Sequence, residues 1–153
     1  MTVHYLDASA WVKRYHTELG TRWVANLFAT APMAACASLG VVEVTAALAR
    51  LARAQPIPPR ELLLRLAAVR ADWAHMIQVQ LTDQVLQEAI RQAEQRALRG
   101  ADAIHLASAL VLDKSLFPSG EVTILVTSDR ELAEAAGETG LAVLNPEALE
   151  SLS

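Results

Sequence analysis

Five short apolar runs, each leading within a few residues into a helix-period pattern, restrict this chain more than any other feature it carries. Val3–Leu6, Met33–Ala37, His75–Gln80, the run VTILVT at 122–127 and Leu141–Leu144 have the length and composition of short buried strands. The spacing predicts helices over Ala8–Tyr15, Glu18–Ala29 and Leu39–Ala54, the last with Val41, Val44, Leu48 and Leu51 on one face. Further helices are expected from about Arg60 to Trp73, then over Asp83–Leu98, Ala101–Leu112 and Asp129–Ala136. AQPIPP reads as a turn between two helices, because proline stops a helix, while Gly100 and Gly137 punctuate the later ones. Strands that alternate with helices imply a parallel sheet covered on both faces. The expected fold is α/β with a central, mainly parallel sheet, in one domain over residues 1–153.

In such a sheet, loops at the carboxyl ends of the strands form the binding crevice. Asp7 falls there after VHYL, and Asp129 after VTILVTS. Glu43 within LGVVEVTAAL and Asp102 within RGADAIHLASAL complete a set of four acids in apolar surroundings. An ionised carboxylate among apolar residues is costly unless it is paired, hydrogen-bonded or bound to a metal. Brought to one end of the sheet, the four would make an all-oxygen site suited to Mg²⁺ or Mn²⁺, and they point to metal-dependent phosphodiester hydrolysis.

Each acid also has a purely local reading. Asp7 suits a helix N-cap. Ser128 and Glu131 have capping-box spacing, which puts Asp129 in the first turn of its helix. Asp102 lies at a helix start with Arg99 as a nearby ion partner. Glu43 is the exception. Its i+3 and i+4 neighbours are Ala46 and Ala47, and no lysine or arginine stands within helical pairing distance. Gly40, Ala46 and Ala47 make a poor solvated face, so a functional role is the better reading for Glu43.

Composition adds bounds. With 53% hydrophobic and 20% charged residues the chain is expected to fold around a real core. No basic segment followed by a long apolar stretch opens it, and no apolar run approaches the roughly 20 residues needed to span a bilayer, so a soluble, cytoplasmic protein with no membrane partner is expected. Cys36, alone in an apolar segment, reads as an inert buried thiol. A net charge of −4 would ordinarily disfavour nucleic acid, but the four carboxylates account for all of it. A local basic rim for RNA could draw on Lys13, Arg14, Arg50, Arg53, Arg99 or Arg130, each of which also reads as a scattered solvated side chain.

The motifs YLDASAWVKRYHTELGT, LGVVEVTAALARL, LRGADAIHLASAL and LVTSDRELAEAAGETGLAVLNP, in that order over nearly the whole chain, resemble a PIN-domain ribonuclease of the VapC toxin type. The resemblance implies a three-layer α/β/α sandwich, with Asp7, Glu43, Asp102 and Asp129 matching the family's catalytic, metal-binding acidic quartet. It further implies a Mg²⁺-dependent endoribonuclease for which Mn²⁺ substitutes, a small VapB-like antitoxin as partner, and a homodimer. Ser9 and Thr127 or Ser128 stand where a hydroxyl could hold a carboxylate. His105 reads as structural, since the sequence offers it no acid-base partner. The segment DKSLFPSGE is longer and more turn-like than the family pattern, which predicts a displaced Asp129.

Three other readings compete. A haloacid-dehalogenase phosphatase also begins with an Asp after its first strand, but it would be similar to D-x-D, and here the third residue is Ser9. A histidine-based ribonuclease fits poorly, because His4, His16, His75 and His105 fall in unrelated contexts. The alternative from another class is a noncatalytic binding module that keeps the fold and the antitoxin or RNA surface. An apolar supply for self-association or antitoxin docking exists in Trp11, Tyr15, Trp23, Leu27 and Phe28 with Leu62, Leu63 and Leu66, although core packing explains most of it.

Overall fold

The computed structural model describes residues 1–31 and 33–153. Its sheet has five strands: β1 (Thr2–Leu6), β2 (Met33–Ala37), β3 (Ile77–Val79), β4 (Val122–Val126) and β5 (Ala142–Leu144), in the order β3-β2-β1-β4-β5. All four neighbouring pairs are parallel. Period-two alternation divides the strand side chains between two cores. Val3, Tyr5, Ala35, Ala37 and Leu125 pack beneath α5 (Asp83–Arg96), α6 (Gly100–Leu116) and α7 (Arg130–Glu138). Leu6, Cys36 and Val126 pack on the other side against α1 (Ala8–Trp11), α2 (Thr21–Thr30), α3 (Ser38–Ala54) and α4 (Pro59–His75). Helices on both faces make the three-layer α/β/α sandwich.

From β1 the chain builds outward through β2 and β3, then crosses back to place β4 on β1's other side. The order reverses between β1 and β4, and their carboxyl ends lie level, with Leu6 opposite Val126. The Asp7 N–H continues that ladder by donating to the Val126 carbonyl at 3.2 Å. Such a switch point opens a crevice beyond the strand ends.

The helix boundaries differ from expectation in instructive places. The first predicted helix winds as α1 and then tightens into a 3₁₀ turn, Val12–Arg14. α2 begins at Thr21, after Gly20 at φ +95°, where an added Cβ would lie 2.9 Å from Lys13 Cδ. His75 ends α4 and does not open β3. α6 runs to Leu116, so DKSLFPSGE is taken up by the end of that helix and the 3₁₀ turn Phe117–Ser119 before β4 starts. Asp113 anchors this connection by accepting the Thr123 N–H at 2.9 Å. β4 then pairs with β1 over its whole length, so the extra residues do not displace Asp129. A last helix, α8 (Pro146–Ser151), has no counterpart among the expected elements; Asn145 caps it and it packs on α2. Among the described residues no helix is long and apolar enough to cross a membrane.

Two surface expectations fail. Lys13 is buried and lies between Glu18 at 3.2 Å and Glu147 at 2.7 Å, tying α8 to the body, so it cannot serve a basic rim. Arg14 pairs with Asp72 and lies over the Phe28 ring at 4.2 Å. Of the apolar supply, Trp11 and Leu27 are core residues, whereas Leu63, together with Leu64, is exposed on α4.

Candidate active site

Asp7 is the most tightly held of the four acids. It is the N-cap of α1, its Oδ1 accepting the Ala10 N–H at 3.0 Å, in line with its local reading. It also accepts from the Ser9 hydroxyl at 2.8 Å and, through Oδ2, from the Thr127 hydroxyl at 2.7 Å. Each hydroxyl has a second task. Ser9 Oγ accepts the Ser128 N–H and Thr127 Oγ1 accepts the Asp129 N–H, both at 3.0 Å. The turn after β4 is thereby riveted to the turn after β1. Ser128 contributes through its backbone, and its own hydroxyl is buried without a partner. Burial pushes the Asp7 carboxyl above the usual carboxylate range, against the opposing pull of His105, Thr127, Ser9 and the Ala10 N–H.

Glu43 sits on α3 with its side chain 31% exposed, and its partner is one the sequence did not disclose. His105 Nε2 lies 2.5 Å from Glu43 Oε1, while His105 Nδ1 lies 2.9 Å from the Tyr5 hydroxyl. The Ala37 N–H donates to that hydroxyl at 3.1 Å, leaving the Tyr5 proton for Nδ1. The Nε2 proton then points at the carboxylate, so a buried relay runs from Ala37 through Tyr5 and His105 to Glu43. His105 therefore has an acid partner, contrary to the sequence expectation. The available signal was Asp102 and His105 at i, i+3 on one helix, which puts both on one side of α6.

Close approach of α3 makes the relay possible. A Cβ at Gly40 would stand 2.2 Å from Cys36 Sγ and 3.4 Å from His105 Cε1. Glycine is thus required one turn before Glu43. Cys36 is fully buried and its thiol is pushed well up, first by burial and then by the charges of Asp7 and Glu43, in keeping with an inert side chain.

Asp102 and Asp129 form the outer part of the site. Asp102 lies in the first turn of α6, whose N-cap is Arg99 with no side-chain cap, so capping does not explain it. Asp129, and not Ser128, caps α7, accepting the Leu132 N–H at 2.9 Å. Exposed Arg99 spans the two carboxylates at 3.2 Å each. Burial and then the charge of Asp129 raise the Asp102 carboxyl, with Arg99 and His105 opposing. Arg99 therefore neutralises acids and is not a free rim cation.

The quartet thus gathers at the carboxyl end of β1, β2 and β4. Asp7 and Asp129 join through Thr127, Asp102 and Asp129 through Arg99, and His105 feels Asp7, Glu43 and Asp102. Among the described residues no three His, Cys, Asp or Glu side chains stand close enough together to hold a metal ion as they are placed. The donor set nevertheless suits a hard divalent cation in its chemistry, since every candidate ligand is a carboxylate oxygen.

The α/β/α sandwich is an architecture shared with known proteins. The PIN domain profile matches residues 4–138. Ribonuclease VapC49 of Mycobacterium tuberculosis is 41% identical over 112 residues, covering 73% of this chain and 78% of that protein. The chain therefore belongs to the PIN domain family, among its VapC members. Among solved structures, PAE2754 from Pyrobaculum aerophilum superposes with a TM-score of 0.65 at 22% identity, covering 99% of this chain and 88% of that one. A toxin-antitoxin complex from Klebsiella pneumoniae gives a TM-score of 0.65 at 14% identity, with 94% and 97% covered.

Proposed function

We propose that this protein is a Mg²⁺-dependent endoribonuclease, with Mn²⁺ able to substitute, and that it acts as the toxin of a toxin-antitoxin pair. The observation that carries the reading is the clamped Asp7 carboxylate at the β1/β4 switch point, with Glu43, Asp102 and Asp129 gathered round it, in a chain 41% identical to Ribonuclease VapC49. Asp7, Glu43, Asp102 and Asp129 would hold the ion. When bound, the ion lowers the pKa of a water and offsets the charge that develops on the phosphorus oxygens.

The remaining work falls to the chain. Ser9, Thr127 and the Ala10 N–H fix the position of Asp7, so no carboxylate rearrangement is needed at this end of the site. Through its Nε2 proton His105 orients Glu43, and Tyr5 sets the tautomer. Arg99, bridging Asp102 and Asp129, offsets part of the charge of those two acids. By analogy with the complex from Klebsiella, a small antitoxin covers this protein, and we include self-association as a dimer in the proposal.

The test is Glu43→Gln, which preserves shape and the bond from His105 but deletes the charge that a divalent ion requires. Cleavage of total RNA in Mg²⁺ should fall by orders of magnitude, with circular dichroism and antitoxin capture unchanged. A Glu43→Gln protein that cuts at the wild-type rate would refute this site. Wild-type protein freed of antitoxin that cuts nothing across a broad RNA panel would leave a noncatalytic binding module as the better reading.

A further inference from the structure

Beside the carboxylates lies a cavity of about 270 Å³ that the catalytic reading does not use. Its walls are Ala37 at the end of β2, Ser38 and Leu39 in the first turn of α3, Val79 at the end of β3, Leu81 in the following loop, and Ile104 and Ser108 on α6. Three features tie it to the site. Leu39 precedes Glu43 by one helical turn on the same stripe of α3. Ile104 lies between Asp102 and His105 in sequence. Ser108 follows His105 by one turn on the same side of α6.

The lining has a particular chemical character. Five of the seven lining residues are apolar; the Ser38 hydroxyl is spent on Gln80 Oε1 at 3.0 Å, whereas Ser108 is buried with a hydroxyl that makes no hydrogen bond. An unspent buried hydroxyl costs stability unless something engages it. Leu81, at the outer edge, is 56% exposed and so open to a ligand from solvent. Mostly apolar walls with one unspent hydroxyl match an aromatic heterocycle that has nonpolar faces and a hydrogen-bonding edge.

We propose that this pocket receives one nucleobase of the RNA, next to the phosphodiester held by the carboxylates, and that Leu39, Leu81, Ile104 and Ser108 set the base preference at that position. This rests on the ribonuclease reading above and specifies how its substrate is read. The base would slide between Leu39 and Ile104 beneath Leu81, with Ser108 meeting its polar edge. One extra or missing group in such a slot changes discrimination by about tenfold or more.

Two measurements test the proposal, and one of them does not depend on cleavage. Methyl-labelled protein is titrated with the four nucleoside 5′-monophosphates and with ribose 5-phosphate. Base-dependent shifts are expected at Leu39, Val79, Leu81 and Ile104, with none of them produced by ribose 5-phosphate. RNA randomised around the cut is then digested by wild type, Leu81→Ala and Ser108→Ala; the variants should lose about tenfold of the wild-type base preference at one position while cutting their preferred sites. Leu81→Ala is the safer variant, because its side chain is already exposed. Base-dependent shifts in a protein that cuts no RNA would support the pocket and count against the nuclease reading. Cleavage with an unchanged base profile in both variants would overturn the pocket. So would shifts of these methyls by an antitoxin peptide but by no nucleotide, which would assign the pocket to the protein partner.

Discussion

Gly40→Ala should destabilise the fold through a single contact, and removal of that contact should reverse the effect. The added Cβ would sit 2.2 Å from Cys36 Sγ, where nonbonded carbon and sulfur atoms need at least about 3.5 Å. Cys36 cannot retreat with its backbone, because β2 is paired on both sides, to β1 and to β3. Overpacking of this kind costs about 1–3 kcal/mol, offset by about 1 kcal/mol for replacing glycine within a helix, so a net loss of up to about 2 kcal/mol is expected. In a Cys36→Ala background the clash is gone. The next contacts are 3.4 Å to His105 Cε1 and 3.7 Å to the residue 36 Cβ, close but tolerable. There Gly40→Ala should be neutral or stabilising, although Cys36→Ala alone costs about 1 kcal/mol. The coupling in the double-mutant cycle is therefore about 2 kcal/mol, measured by urea unfolding at constant m-value. Because α3 carries Glu43 one turn away, RNA cleavage should fall in Gly40→Ala and recover in the double variant. Equal destabilisation by Gly40→Ala in both backgrounds would refute the argument that the sulfur sets the approach of α3.

Three further outcomes are expected. Thr127→Val keeps volume but removes a donor to Asp7 and the acceptor for the Asp129 N–H, so stability should drop by about 2 kcal/mol in urea unfolding, with a larger fractional loss of cleavage than a surface control shows. Asp102→Asn should be inactive, yet in EDTA at neutral pH it should melt at or above the wild-type temperature; the native carboxyl is raised, so its ionised form opposes folding there, and the exposed bridge to Arg99 contributes little. Millimolar Mn²⁺ or Mg²⁺ should raise the melting temperature of wild type and much less that of Asp7→Asn, and equal shifts in both would place the ion elsewhere.

The layer architecture was legible in the linear chain because period-two strands and helix-period faces are local properties. Each of the five strands falls within about two residues of its apolar run, and the parallel sheet is a consequence of their alternation with helices. The short first helix, the late start of α2 and α8 were less legible, since they depend on Gly20 meeting Lys13 and on Lys13 reaching Glu147, a pair separated by 134 residues. DKSLFPSGE misled for a related reason. A longer connection leaves the downstream residues in place when the strand after it is held in register along its whole length.

The four acids could be nominated one by one, from the cost of a carboxylate among apolar neighbours, and Glu43 stood out because its own helix offered no counter-charge. The sequence could not supply the partner of each. The bonds from Thr127 to Asp7, from His105 to Glu43 and from Arg99 to Asp129 span 120, 62 and 30 residues. Local spacing determines which residues share a face of one element, whereas hydrogen bonds and burial across elements exist only once the sheet order has brought strand ends together. For that reason His105 changed from a structural histidine into the group that orients Glu43, Lys13 from a rim cation into a buried tie, and Asp129 from a first-turn acid into the cap that shares Thr127 with Asp7.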